Sequence, residues 1–358
     1  MINTYFFDLI KVAIGNKASL SNIPTSSEWK EMFIMAKQQT IVGILFEAIE
    51  KLPSEQRPPK PLLLQWFAFV EMIKEQNKQV NTDAIKMCDE VRNDGMRCMV
   101  LKGQGIATYY PDPMLRTPGD IDLWIEGGAK TVIDYLRSKG DVKNIRYIHA
   151  DYKAPVETAV EIHYSPTYFY NPLYLYRLKK YVAQQSELFD NYVHLSDGSG
   201  KLYIPTIEFN RYYVLQHIYR HYFGEGIGLR QMLDYYYVLL KGGTEESKKH
   251  TMHLFQQTGM KRFVGATMWV MHEIFGLKED YLLCAPHSKA GKKLLDEIMQ
   301  AGNFGKYDHR IDRSKYHKLF PRIANSIIRK IRFITEYPQE ILFDLPARIW
   351  MYLWRMTK

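Results

Sequence analysis

The chain has 358 residues, of which 46% are hydrophobic, and a net charge of +9 at pH 7, so it can bury a sizeable core in one or two domains. Its three cysteines, Cys88, Cys98 and Cys284, are scattered and lack the short paired spacings of a zinc site, which argues against a disulfide framework and indicates a reducing compartment. No apolar run approaches the roughly 18 residues of a membrane-spanning helix, and no basic segment precedes the first apolar run, so we expect a cytoplasmic protein.

Residues 1–95 predict an N-terminal helical region. The stretch "SSEWKEMFIMAKQQTIVGILFEAIEKL" has helical periodicity, and Ser26 or Ser27 can cap its start. A Pro-rich loop over residues 53–61 separates this stretch from a long predicted helix over residues 62–93. The Asp-Gly pair that follows is a helix stop signal, so we expect the region to end there.

Residues 96–204 differ in composition and predict a small mixed α/β core. The pattern predicts, in order, a strand in "MRCMVLK", a glycine turn, a short helix in "GIATYY", a Pro-rich loop, a strand in "IDLWI" and a helix in "AKTVIDYLRSKG". Two paired strands, "IRYIHADY" and "TAVEIHY", and a hairpin in "YVHLSDGSGKLYIP" complete the core. These strands are too few for a large doubly wound sheet.

From Thr206 the pattern is helical almost to the end, with loops near Gly242 and Pro286, and we assign a C-terminal helical region to residues 205–358. The chain shows no internal repeat and no low-complexity tract. The predicted fold class is therefore α+β, with a small mixed-sheet core between two helical regions.

Three acidic residues lie on the predicted strands. Asp120 and Asp122 are two residues apart, so both carboxylates project from one face, about 5–7 Å apart. The two carboxylates of such a pair repel each other, which raises their proton affinity unless a cation lies between them. Mg²⁺ prefers oxygen ligands of this kind. Glu161, flanked by apolar residues on a later strand, offers a third carboxylate. The alternative for each acid alone is the solvent-facing position of an amphipathic strand.

The turn "LKGQG" joins a predicted strand to a predicted helix, where exposed backbone N–H groups can bind phosphate. It fits neither the P-loop pattern nor G-x-G-x-x-G, and glycines at such turns often serve geometry alone. Lys102 can add a point charge to a phosphate at this turn, or it can simply be solvated.

Several of these segments together resemble a known family. "LKG", "YPDPMLRTPGDIDLWI", "VEIHY" and "HIYRHYFGEGIGLRQMLD" look like the uncharacterised bacterial nucleotidyltransferase family of the DNA polymerase β-like superfamily. The resemblance implies that Gly103 is the phosphate-turn glycine and that Asp120, Asp122 and Glu161 are the metal-binding, catalytic carboxylates. Gln104 stands where the superfamily usually has Gly or Ser in contact with the nucleotide phosphates.

Further candidates flank these segments. Arg116, four residues before Asp120, can bind a phosphate through its forked guanidinium or can fix the loop from the surface. His163 shares a strand face with Glu161, which would raise its pKa and suit phosphate or acceptor binding; the alternative is a histidine at a sheet edge.

The predicted helix after Thr206 carries two i, i+4 pairs, each on one face. His217 and His221 lack the H-E-x-x-H sequence of a zinc protease. Arg230 and Asp234 can form an ordinary intrahelical ion pair. The resemblance spans all four residues and implies a substrate-facing helical wall.

The resemblance implies an Mg²⁺-dependent enzyme that moves a nucleotidyl group from an NTP to an unidentified acceptor, with a sugar phosphate or a surface-polysaccharide precursor as attractive acceptors. An inactive nucleotide-binding module is one alternative, because of Gln104, and a peripheral membrane or polyanion-binding protein is another, because of the basic C-terminus. Phosphoryl chemistry of this kind needs charge neutralisation and in-line positioning more than covalent help from the protein.

The C-terminus carries most of the excess charge. Residues 301–358 contain 12 Lys and Arg against 5 Asp and Glu, a net +7, and the last 32 residues mix basic with aromatic side chains. An amphipathic packing helix with a solvated basic face is the first expectation. An anionic membrane surface is the next possible partner, and nucleic acid is less favoured.

Overall fold

The computed structural model describes residues 2–140, 142–185, 187–310 and 327–358. The protein is mostly helical, with a five-stranded mixed sheet and a separate two-stranded hairpin. This confirms the predicted α+β class. Among the described residues, none of the helices combines the length and the apolarity needed to cross a membrane.

Four helices precede the sheet: α1 (Ile2–Ala13), α2 (Ser26–Gln38), α3 (Val42–Lys51) and α4 (Lys60–Asn93). The cap of α2 is Thr25, not Ser26 or Ser27 as predicted. The Thr25 side chain accepts a hydrogen bond from the Glu28 amide, and the Glu28 carboxylate accepts one from the Thr25 amide. Glu28 stands three residues after Thr25, which is the spacing that a capping box requires.

The sheet contains β1 (Cys98–Leu101), β2 (Ile121–Ile125), β3 (Val142–Lys143), β4 (His149–Tyr152) and β5 (Val160–His163), in the order β1-β2-β5-β4-β3. Only β2 and β5 run parallel; the other neighbours are antiparallel. The predicted pairing of "IRYIHADY" with "TAVEIHY" is confirmed as β4 against β5. The short helix α5 (Gly103–Ala107) follows β1, and α6 (Gly128–Lys139) follows β2.

Alternation along the strands gives the sheet two different faces. Val100, Leu123 and Ile162 lie on the face that packs in one buried cluster with residues of α4 and α6. Met99, Leu101 and Trp124 lie on the opposite face and belong to a larger cluster that joins the helices before and after the sheet. The second face also carries Asp122, Glu161 and His163, so the acidic residues lie between the sheet and the later helices.

The later elements are α7 (Pro172–Ala183), the hairpin strands β6 (Tyr192–His194) and β7 (Lys201–Tyr203), α8 (Ile207–Gly224), α9 (Leu229–Leu240), α10 (Glu245–Gln257), α11 (Lys261–Trp269), α12 (Ser288–Ala301) and α13 (Pro338–Met356). The hairpin and the helices after Thr206 were predicted. Helix α7 was not, although Asn171 caps it and Pro172 opens it, which is a standard start signal.

Candidate active site

The three predicted carboxylates meet at one edge of the sheet. The parallel register of β2 and β5 places Asp122 directly beside Glu161, and Asp120 immediately precedes β2. One carboxylate oxygen from each residue lies within 4.8 Å of the other two. Asp122 is buried, Glu161 is half-buried and Asp120 reaches solvent. The group is thus recessed but accessible from outside.

The charges around Asp122 are compensated. Lys102 Nζ lies 2.9 Å from Asp122 Oδ2, and His163 Nε2 lies 2.8 Å from Asp122 Oδ1. Burial alone would raise the pKa of Asp122, but the Lys102 ammonium and the hydrogen bond from His163 hold it well below its usual range. Asp122 is therefore an anion at any physiological pH.

The charge of Asp120 is not compensated in the same way. The pKa of Asp120 is raised, first because the surrounding protein partly desolvates its carboxyl group and then because Asp122 and Glu161 repel its charge. The repulsion that Asp122 and Glu161 exert on Asp120 indicates an excess of negative charge at this place. A divalent cation would relieve that excess.

The turn between β1 and α5 brings its lysine over these acids. Lys102 has φ +54° and Gly103 has φ +37°, and such values are rare for residues other than glycine. Lys102 Nζ also lies 3.2 Å from His217 Nε2. Because an ammonium only donates, His217 Nε2 accepts, and the ring is neutral, in accord with a pKa that burial and Lys102 lower.

The side chain of Gln104 does not face the predicted phosphate turn. The side chain is buried against α4, where Nε2 donates to Asn77 Oδ1 over 3.2 Å and also to Asn81 Oδ1. As the second residue of α5, Gln104 points to the side of that short helix that packs on α4. Its contacts are therefore structural.

Arg116 and Asp234, which are predicted to bind nucleotide and substrate, pair with each other. Arg116 Nε and Nη2 lie 2.7 and 2.9 Å from the two Asp234 carboxylate oxygens, and Tyr110 donates to the same carboxylate over 2.7 Å. Both charged residues are buried. The alternative in which Arg116 fixes its loop is favoured, with the difference that it does so from the interior.

Arg230 is not the partner of Asp234, so the intrahelical ion pair does not form. Its Nη1 donates to the Thr117 carbonyl oxygen over 3.0 Å. Arg230 and Gly103 line a small cavity next to the carboxylates. A Cβ on Gly103 would find only the Asp120 carbonyl oxygen nearby, at 3.8 Å, so the space above the glycine is open.

The two histidines of α8 stand on one wall of a larger cavity. The rings of His217 and His221 are 4.4 Å apart between centroids. His221 Nε2 lies 3.4 Å from Arg220 Nη2, and its Nδ1 lies 3.1 Å from Glu225 Oε2. The arginine can only donate, so His221 donates from Nδ1 to Glu225. The pKa of His221 is lowered, mainly by burial.

This larger cavity has a volume of about 680 Å³ and opens directly over the carboxylates. Residues that the sequence did not single out line it: His149 on β4, Arg146 before it, Arg220 on α8, and Arg348 and Arg355 on α13. His149 could have been found by aligning "IRYIHADY" antiparallel to "TAVEIHY". No sequence pattern around the four arginines indicated that they line a cavity.

The basic tail contributes to this cavity. Besides Arg348 and Arg355 at the cavity, Arg329 donates to the Tyr222 carbonyl oxygen and Lys330 pairs with Asp344. These contacts favour the packing-helix alternative over a free basic surface. Four further basic residues of the tail lie outside the described residues: Arg313, Lys315, Lys318 and Arg322.

Comparisons with known proteins give a family and structural relatives. An antigenic nucleotidyltransferase-like protein from Paracoccidioides brasiliensis is similar in structure, with a TM-score of 0.34 and 12% sequence identity, over 60% of this chain and 96% of that one. No curated protein matches the chain. Residues 25–276 match the family described as "Uncharacterised nucleotidyltransferase". That match covers more than half of the chain and confirms the resemblance in the motifs, so the chain belongs to this nucleotidyltransferase family.

Proposed function

We propose that the protein is an Mg²⁺-dependent nucleotidyltransferase that transfers a nucleotidyl group from an NTP to an acceptor. The observation that carries this proposal is the meeting of Asp120, Asp122 and Glu161 at the floor of the large cavity. In the reaction an acceptor oxygen forms a bond to the α-phosphorus, the bond to the bridging oxygen breaks, and pyrophosphate leaves with its electron pair.

The donor set fits the cation that such a reaction needs. The oxygens of Asp120, Asp122 and Glu161 lie within 4.8 Å of one another, and carboxylates are the ligands that Mg²⁺ prefers. Repulsion from Asp122 and Glu161 contributes to the raised pKa of Asp120, and a cation would relieve it. A cation held there supplies charge neutralisation for the triphosphate.

The other residues of the site can bind the nucleotide and the acceptor and orient them. Lys102 lies beside Asp122 at the open glycine turn, where its ammonium can bind a phosphate oxygen as a point charge. A volume of about 680 Å³ is in the usual range of small-molecule sites. The His163 imidazole, whose Nε2 lies 3.7 Å from Glu161 Oε2, lowers the pKa of Glu161, and the ionised carboxylate can accept the proton of an acceptor hydroxyl.

The structure gives less reason than the sequence to propose an inactive nucleotide-binding module. That alternative depended on Gln104, whose side chain faces α4 and does not occupy the phosphate turn. Calorimetry separates the two functions, because an inactive module binds NTP without release of pyrophosphate in the presence of any acceptor.

The double variant D120N/D122N tests the proposed function. We expect metal-dependent pyrophosphate release to fall by about 1,000-fold or more, since the lost cation contributes several kcal/mol to the stabilisation of the transition state. The matched control is D134N, which changes an exposed aspartate of α6 that pairs with Lys130. Full turnover in the folded double variant, or an equal loss in D134N, would contradict the proposal.

A further inference from the structure

His149 is a buried histidine, and neither of its ring nitrogens has a hydrogen-bond partner among the residues that the structure describes. It is 7% exposed and lines the large cavity. Buried polar groups are nearly always satisfied in native proteins, so an unsatisfied imidazole that faces a cavity points to a ligand.

The sheet register places two further ligand atoms beside it. The antiparallel pairing of β4 and β5 sets His149 opposite His163, and Glu161 is two residues before His163 on the same face. His149 Nδ1 lies 3.4 Å from Glu161 Oε2, and His163 Nε2 lies 3.7 Å from the same oxygen. All three ligand atoms lie within 4.8 Å of one another.

These separations suit a bound metal ion. Metal bonds of about 2.0–2.2 Å put neighbouring ligand atoms of a tetrahedral site roughly 3.3–3.6 Å apart, close to both distances that end on Glu161. His163 Nδ1 lies 3.4 Å from the Ser165 carbonyl oxygen. A ring N–H held by a carbonyl fixes the tautomer in which the other nitrogen binds metal, and ligand histidines commonly have this outer contact.

We propose that His149, Glu161 and His163 form a second cation site that binds a transition-metal ion such as Zn²⁺, Mn²⁺ or Co²⁺. Two imidazoles with one carboxylate favour such ions, whereas the all-carboxylate set of Asp120, Asp122 and Glu161 favours Mg²⁺. Glu161 belongs to both sets and would bridge them. The remaining coordination positions open to the large cavity, which leaves room for water or a substrate oxygen.

Binding of an ion at the second site would break a hydrogen bond that His163 makes. His163 Nε2 donates to Asp122 Oδ1 over 2.8 Å, so an ion can bind this nitrogen only when its proton leaves to solvent and the hydrogen bond is lost. Occupation of the second site would thus couple directly to the first through Asp122 and Glu161.

Titration of the full, metal-stripped chain with Co²⁺ tests the proposal without any use of turnover. Cobalt bound to two imidazoles and one carboxylate in a site of low coordination number absorbs visible light, whereas six-coordinate Co²⁺ absorbs weakly. We expect one equivalent to give these bands, Zn²⁺ to abolish them and excess Mg²⁺ to leave them. The variant H149A should bind Co²⁺ at least about 10-fold more weakly.

Three variants make the result decisive. H194Q changes an exposed histidine of the hairpin and should keep the bands. D120N should also keep them, although it removes the carboxylate site that the proposed function needs, so the two proposals fail separately. E161Q should weaken both Co²⁺ and Mg²⁺ binding. Unchanged bands in H149A, or an equal loss in D120N or H194Q, would overturn the second site.

Discussion

Arg116 and Asp234 border the candidate site, but their charges pair with each other and stabilise the fold. Their side chains are only 4% and 9% exposed, and two hydrogen bonds join them. Burial alone would lower the pKa of Arg116, but the Asp234 carboxylate raises it above its usual value. The pair ties the loop before β2 to α9 and so fixes the start of the acidic strand.

Removal of one partner should therefore be costly. We expect D234N to lower the free energy of unfolding by about 3–5 kcal/mol, because it leaves the Arg116 guanidinium buried without its counter-charge. Urea denaturation followed by circular dichroism measures this value. D134N, which breaks the exposed pair with Lys130, is the control and should leave the stability nearly unchanged. A loss in D234N no larger than in D134N would show that the buried pair does not hold the loop.

At the scale of elements, α3 supports the same loop through Gly43. A Cβ on Gly43 would collide with the Leu115 carbonyl oxygen and come within 3.2 Å of the Leu115 Cα. Asn77 of α4 holds the loop from the other side, since Nδ2 donates to the carbonyl oxygens of Met114 and Arg116 over 2.8 and 2.9 Å. The loop before Asp120 is thus fixed between two helices.

The variant G43A should lower the free energy of unfolding by about 1–3 kcal/mol, because the backbone of the loop or of α3 must shift. Gly224, the last residue of α8, has no neighbour within 4 Å of an added Cβ, so G224A is the matched control. It should stabilise the protein slightly, by up to about 1 kcal/mol, through helix propensity. Thermal unfolding of both variants measures the contrast, and equal stabilities would contradict the close packing of α3.

The final helix α13 packs through an acid that is protonated in the folded state. Glu340 is 4% exposed, and its Oε2 has no hydrogen-bond partner. Burial, with a contribution from Asp344, raises the pKa of Glu340 from 4.5 to about 8. Between these two values the folded chain holds a proton that the unfolded chain releases, so stability falls as the pH rises from 4.5 to 8.

The variant E340Q tests this linkage, because glutamine cannot ionise. We expect the free energy of unfolding of E340Q, relative to that of the wild type, to increase as the pH rises. The increase should be a few kcal/mol at most at pH 8, since one pKa unit corresponds to about 1.4 kcal/mol. Urea unfolding at pH 5, 6.5 and 8 gives the difference. If the difference in the free energy of unfolding between the two proteins stays constant over this range, Glu340 ionises in the folded state as it does in the unfolded chain.

Elements defined by local periodicity were predictable from the sequence, and contacts between distant elements were not. Alternation places Asp120 and Asp122 on one strand face, and the motif added Glu161, so the carboxylates could be identified without a structure. The partnership of Arg116 with Asp234 depends on how a loop meets α9, more than 100 residues later. The role of His149 depends on the register of β4 against β5, which no local pattern encodes.

The large cavity is a property of the whole molecule, because its cations come from regions far apart in the sequence. Arg146 precedes β4, Arg220 lies on α8 and Arg355 lies on α13, and all three line the cavity. Within the described part of the chain, none of the three forms an ion pair with a carboxylate. Arg220 instead lies over the Tyr168 ring, 4.9 Å from its centroid. Unpaired guanidinium groups over a cavity attract anions.

Neutralising these arginines should therefore weaken nucleotide binding in a salt-dependent way. We expect R146Q, R220Q and R355Q each to raise the Kd for NTP by about 3- to 30-fold at low salt, with a smaller effect at high salt because ions screen the attraction. Calorimetry at two salt concentrations measures both quantities. K130Q removes a highly exposed cation on α6, away from the cavity, and should bind like the wild type. An equal loss of affinity in K130Q would mean that overall charge attracts the nucleotide, whereas a loss confined to the three arginine variants would locate the attraction in the cavity that the sheet, α8 and α13 build together.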